Sequence, residues 1–154
     1  MKKFLLIMIF FMSQLHALQF CYEEAGWCYD VSTFQAFYLF HSDNAALEYV
    51  DASGIIENGD AIGAFKKDGN GNDVCVGFLR IGSENQPDAN GIITLATMGN
   101  DGSFPDYLAA DEVPFLKLYD ASTGNEVCVT VSGAVLPGWQ NNGIFNHHGL
   151  IDAY

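Results

Sequence analysis

A chain of 154 residues has room for one domain with a sizeable core and little for a second. Its 6 Lys+Arg stand against 19 Asp+Glu, a net charge of −13, which excludes direct binding to nucleic acid or anionic lipid, since both need clustered cations. The 16 Gly, 7 Tyr and 12 Phe beside so few cations argue against a helical bundle and for an all-β domain.

Met1-Lys2-Lys3 gives a positive start, Phe4 to Met12 an unbroken apolar run, and Ser13 to Ala17 a polar tail ending on a small residue. This is the pattern of a secretory signal. The apolar run falls well short of the roughly 20 residues that span a bilayer. Removal of residues 1–17 would leave four cations against 19 acids, a charge of −15. Phe20 precedes Cys21 where a lipoprotein signal wants a small residue, so the product is expected to be secreted, extracellular or at the cell surface, with no membrane anchor.

Leu18, Phe20 and Tyr22 alternate with Gln19, Cys21 and Glu23, which predicts a short strand. Cys21 and Cys28 then enclose a six-residue turn holding Gly26. Residues 18–30 thus form an N-terminal strand and disulfide-closed turn ahead of a main domain, 31–154. Val31 to Phe40 reads as a longer strand, with Phe34, Ala36, Tyr38 and Phe40 on one face. Phe37 and Leu39 make its other face partly apolar, as in a strand buried on both sides. Further strands are predicted over Leu47 to Ile56, Ala61 to Lys66, Val74 to Ile81, Ile92 to Met98, Val113 to Tyr119 and Glu126 to Val131. A last apolar stretch runs from Ile144 to Ile151. Gly, Asn and Asp punctuate them, most clearly at 68–73, 99–103 and 121–125, where positive φ is accepted cheaply. Eight or nine short strands at this spacing describe a two-sheet β-sandwich or jelly roll.

Four cysteines in the exported part allow two disulfides in three pairings. Cys75 and Cys128 lie in matching contexts, Asp-Val-Cys-Val and Glu-Val-Cys-Val, which favours 21–28 with 75–128. The absence of Cys-x-x-Cys argues against a metal site built on these thiols.

The motif order Ser32-Thr-Phe-Gln-Ala-Phe-Tyr-Leu-Phe40, Glu57-Asn-Gly-Asp-Ala-Ile-Gly-Ala-Phe65, Val74-Cys-Val-Gly77, Met98-Gly-Asn-Asp-Gly102 and Phe115-Leu-Lys-Leu-Tyr-Asp-Ala-Ser122 resembles a β-sandwich module of exported microbial surface proteins. The likeness spans about Ser32 to Ser122. It implies an adhesive or architectural unit. A short N-terminal strand ahead of such a sandwich also resembles, in architecture, the donor-strand subunits of extracellular filaments.

Four kinds of site follow from the residues. Leu18, Phe20 and Tyr22 are candidates for an assembly strand that leaves its own domain and completes a neighbour's sheet. Asp68, Asn70 and Asn72 place oxygens at alternate positions, as a calcium loop does. Asp73 then stands where the sharp-turn Gly belongs and Leu79 where the bidentate Glu belongs, so an EF-hand is rejected. A looser calcium site would draw on Asp60, Asp101, Asp106, Asp111 or Asp120. Trp27 and Trp139 are candidates for stacking on sugar rings, Trp139 being the better exposed in its Pro137-Gly-Trp-Gln-Asn-Asn-Gly143 setting. For catalysis there is no Gly-x-Ser-x-Gly, His-Glu-x-x-His or phosphate loop. His147 and His148 are adjacent and would point to opposite faces of a strand. The expectation is a non-enzymatic subunit of an extracellular filament or surface layer, built by N-terminal strand exchange with copies of itself and needing no cofactor, calcium being the one candidate ion. The alternative is a monomeric carbohydrate-binding or adhesion module that takes surface glycans.

Overall fold

The computed structural model describes residues 18–41, 56–82, 88, 90–131, 135–147 and 150–152. Those residues form an all-β sandwich. A five-stranded sheet runs in the order β10 (Leu150–Asp152), β8 (Asn125–Val131), β7 (Phe115–Asp120), β4 (Ala61–Lys67), β5 (Asp73–Arg80), every pair antiparallel. Facing it is a three-stranded sheet, β6 (Ile92–Met98), β3 (Gln35–His41), β9 (Ile144–His147), in which β9 runs parallel to β3. β1 (Gln19–Tyr22) and β2 (Trp27–Asp30) make a separate hairpin. The predicted signal and the predicted strand over Leu47 to Ile56 lie outside the described residues, apart from Ile56 itself.

Alternation decides which faces meet. Ala36, Tyr38 and Phe40 of β3 and Ile93 and Leu95 of β6 are fully buried, and they pack against Ile62, Ala64, Leu116, Leu118 and Val129 of the five-stranded sheet. Burial pushes the Tyr38 phenol well above its ordinary pKa, and its hydroxyl donates to the Pro137 carbonyl at 3.1 Å, so the core holds no orphaned donor there. The odd-numbered β3 residues are half-buried rather than fully buried. β3 begins later than expected because the chain bends at Ser32 and Thr33. The Ser32 hydroxyl donates to Gly99 O at 2.6 Å and accepts from Phe34 N at 3.0 Å, which leaves Phe34 exposed outside the ladder. The predicted hairpin at 68–73 is present, with Asp68 accepting from Asn70 N and Asn72 N at 2.8 Å each.

A bulge between Ala64 and Phe65 shifts the β4–β5 register so that Val76 has no partner on β4. It turns Cys75 to the outer side of the sheet, opposite Phe65, which alternation from Ala61 already places there, in a second apolar cluster with Tyr22 and Trp27. One expectation is corrected here. Cys21 and Cys28 are joined, but Cys75 and Cys128 are free. They sit on β5 and β8, which β4 and β7 separate in the sheet. Three strand spacings amount to about 14 Å, well beyond the roughly 7 Å between Cα atoms that a disulfide can bridge. Burial pushes the Cys75 thiol up to about 12, whereas Cys128 is exposed. Thiol titration of the oxidised protein is therefore expected to count one reactive group in the native state and two after unfolding. Zero in the unfolded state would restore the second disulfide.

Candidate functional site

The N-terminal hairpin is built by its own sequence. Gly26 supplies a φ of 68° at the turn, and its N–H donates to Glu23 O at 3.1 Å. Cys21 and Cys28 are cross-strand partners with Cα atoms 4.1 Å apart. The carbonyl of Leu18 accepts from Val31 N at 2.8 Å, and the alternation that starts there places the cysteines at a non-hydrogen-bonded pair, where side chains approach closest. The disulfide is exposed, and on the opposite face Tyr22, Trp27 and Tyr29 turn to the sandwich while Phe20 stacks on Tyr29 at their margin.

That face grips the five-stranded sheet. The Trp27 ring meets Phe65 edge-on at 5.2 Å and Tyr119 at 6.2 Å. Its Nε1–H donates to Glu126 Oε2 at 2.7 Å. Gly63 makes room beneath it, since a Cβ there would stand 2.9 Å from Trp27 Cζ3. The Tyr22 hydroxyl donates to Gly59 O at 3.1 Å, and the Arg80 guanidinium lies 4.7 Å from its ring centre. Burial raises the Tyr22 pKa, partly offset by Arg80. Glu126 is steadied in turn by Lys117, whose Nζ bonds Glu126 Oε1 at 2.5 Å and Asp73 Oδ2 at 2.8 Å.

The assembly residues are divided by this docking. Tyr22 is buried beneath the hairpin, while Leu18 and Phe20 are 64% and 44% exposed. Among the described residues β1 is paired to β2 alone, and the disulfide ties the two together, so residues 18–22 cannot leave without β2. The six-residue turn expected between Cys21 and Cys28 is shorter, and the chain re-enters a strand at Trp27 that the sequence pattern does not announce as β2. Its trace in the sequence is the alternation of Trp27 and Tyr29 across Cys28.

Neither tryptophan is a free platform, a second correction. Trp27 is 4% and Trp139 3% exposed. The indole of Trp139 lies where a side chain on Gly99 would be, 2.1 Å from the position of a Cβ. Its backbone is paired with Asp111 N and Glu112 O, which draws the apparent turn into the core.

The candidate calcium ligands are spread over separate turns, and among the described residues no group of three or more His, Cys, Asp or Glu is placed to hold a metal ion. Asp60 accepts from Glu57 N and Ala121 N, Asp101 from Thr33 N and Ser103 N, and Asp111 from Gln140 Nε2. Asp68 closes its own turn with Asn72, whose side-chain amide donates to it, while the Asn70 backbone does the same. Asp106 is exposed. Asp120 accepts from the hydroxyls of Ser122 and Thr123 at 2.7 Å each, and these bonds take its pKa from 3.8 to about 2.

A folded-state pKa below the unfolded one adds stability that is complete above the unfolded value and is lost as pH falls through the folded value. Urea midpoints are therefore expected to fall between about pH 4 and about pH 2, and Asp120→Asn to lessen that fall. An unchanged acid limb in the variant would remove Asp120 from this role.

Between the hairpin and the 103–107 loop lies a cavity of about 300 Å³, lined by Tyr29, Asp30, Ser103, Phe104, Asp106 and Tyr107 among others. Phe104 and Tyr107 stack at 4.9 Å, and the Tyr107 hydroxyl accepts from Asp30 N at 2.6 Å. An aromatic wall beside carboxylates is a surface that can take a polar ring. No helix among the described residues is long and apolar enough to cross a membrane. Comparison with protein-family models, curated proteins and solved structures finds no match.

Proposed function

We propose that this is an exported, non-enzymatic structural protein that assembles with copies of itself into an extracellular filament or surface layer, its N-terminal hairpin carrying the joint. The observation that supports this reading is the hairpin: covalently closed, anchored on the sandwich by Tyr22 and Trp27, and presenting exposed Leu18 and Phe20 along a strand paired on one side only among the described residues. An unprotected strand edge with apolar side chains is a template for pairing with another chain. The exported setting fits the Cys21–Cys28 disulfide. The strand-exchange expectation changes in one respect. The covalent tie makes the hairpin, rather than the lone strand, the unit that engages a neighbour.

Negative-stain electron microscopy of the oxidised protein lacking residues 1–17 tests the proposal. Regular filaments that disappear in Phe20→Glu are expected, and dispersed particles at all concentrations would overturn it. The second reading, a monomeric adhesion module for surface glycans, draws on the cavity walled by Phe104, Tyr107 and Tyr29. It predicts sugar binding that Phe104→Ala abolishes and Phe20→Glu leaves intact.

A further inference from the structure

We propose that the open edge of β9 takes β1 of a second copy, so that the three-stranded sheet of one subunit continues into the hairpin of the next. The inference rests on the filament reading and names the acceptor that reading lacks.

Among the described residues β9 is bonded on one side only, to β3. The Gly143 carbonyl accepts from Phe37 N at 2.9 Å. Backbone groups alternate along a strand, so the N–H and C=O of Ile144 and Asn146 point to the open side. In β1 the Leu18 carbonyl is used by Val31, which leaves Gln19 and Cys21 with their groups outward by the same alternation. Each edge thus offers two outward residues at the same two-residue spacing, in strands of 4 residues each. Neither strand carries the Lys, Pro or bulge that blunts natural edges.

Charge selects the same place. The described outer face of the three-stranded sheet presents Phe37, Leu39, Ala96, Ile144 and Asn146, with His41 at its end, none of them a carboxylate, in a chain of net −13. Two such chains repel, and this face adds no carboxylate of its own to Glu23, Glu24 and Asp30 of the incoming hairpin. Ile144, 65% exposed, would be covered by Leu18 or Phe20 of the incoming copy. Because the two edges differ, the contact is heterologous and propagates rather than closing as a dimer.

Asn146→Pro removes an outward N–H of β9, and Gln19→Pro one of β1, each without touching the backbone bonds to β3 or β2, and Asn146→Ala controls for the Asn146 Oδ1 contact with His41 Nε2 that the first also removes. Sedimentation velocity and electron microscopy of the full oxidised chain lacking residues 1–17 then read the outcome. Each proline variant alone is expected to stay monomeric, and an equimolar mixture to stop at a heterodimer, since one intact β1 meets one intact β9. Filaments from either proline variant alone, or wild-type filaments with no heterodimer in the mixture, would overturn this pairing while leaving the filament reading standing. A wild type that never assembles overturns both. If a proline variant unfolds, Ile144→Lys and Gln19→Lys place a charge on the same edges and carry the same test.

Discussion

Trp27→Ala is expected to lower the free energy of unfolding by about 3–5 kcal/mol, the range for removing a buried indole. The expectation rests on what surrounds the ring. Phe65 and Tyr119 hold it edge-on, Gly63 is recessed beneath it, and Glu126 takes its Nε1–H. Removing it strips the second apolar cluster of its largest member and leaves Phe65 facing a void. Glu126 suffers less, because Lys117 remains bonded to it, so Glu126→Gln should cost far less than Trp27→Ala. Trp27→Phe separates packing from hydrogen bonding, and should lose only about 1–2 kcal/mol.

The chain has 2 Trp, so fluorescence of the Ala variant reports on Trp139 alone. Its emission should stay that of a buried indole, showing the sandwich intact while hydrogen exchange over residues 19–30 accelerates. A loss below about 1 kcal/mol would mean that the hairpin does not depend on this anchor. Under the proposed assembly, filament formation should weaken in parallel, because the anchor fixes where Leu18 and Phe20 stand relative to the sandwich.

The parts of the fold that were legible in the sequence are those set by local periodicity. Ala36, Tyr38 and Phe40 alternate with half-buried neighbours as the pattern of β3 requires, and Asp68 to Asp73 closes the β4–β5 hairpin through the turn chemistry of Asp and Gly. The Cys21–Cys28 bridge was legible because both residues flank one short turn. What local pattern does not encode is which strands become neighbours. Cys75 and Cys128 share a context because each lies on a strand of the same sheet, yet two strands stand between them.

The candidate sites failed to be legible for a related reason. Asp and Asn oxygens that could surround a cation are the same oxygens that satisfy turn amides, and only the positions of those amides decide the outcome. Asp60, Asp101 and Asp120 all accept bonds from backbone N–H groups. Trp139 read as exposed from its Pro, Gly and Asn neighbours. Its burial depends on Gly99, 40 positions away in the chain, and on the backbone of Asp111 and Glu112.

Gly77→Ala is expected to cost about 3 kcal/mol, the upper end of the range for overpacking. A Cβ at this position would stand 2.0 Å from the Ala96 carbonyl oxygen and 3.3 Å from Thr97 Cα. These are backbone atoms of β6, which no rotamer change can move. The bulge that leaves Val76 unpaired brings Gly77 to this crossing, where the outermost strand of the five-stranded sheet passes the outermost strand of the other. An added methyl must therefore push the two sheets apart rather than shift one side chain. Gly69→Ala is the control. It meets nothing within 4 Å and should stay within about 0.5 kcal/mol of wild type.

Urea unfolding of the two variants checks the comparison, and equal midpoints would remove the close approach of β5 and β6. The approach also bears on assembly. It shields the β6 side of the three-stranded sheet, so among the described strands the edge left open is β9, at the opposite side of β3. Gly77→Ala should therefore destabilise each subunit without removing the groups on β9 that a neighbour would use. Under the proposed assembly, its filaments should still form at low denaturant, in contrast to Asn146→Pro, whose defect lies in the edge itself.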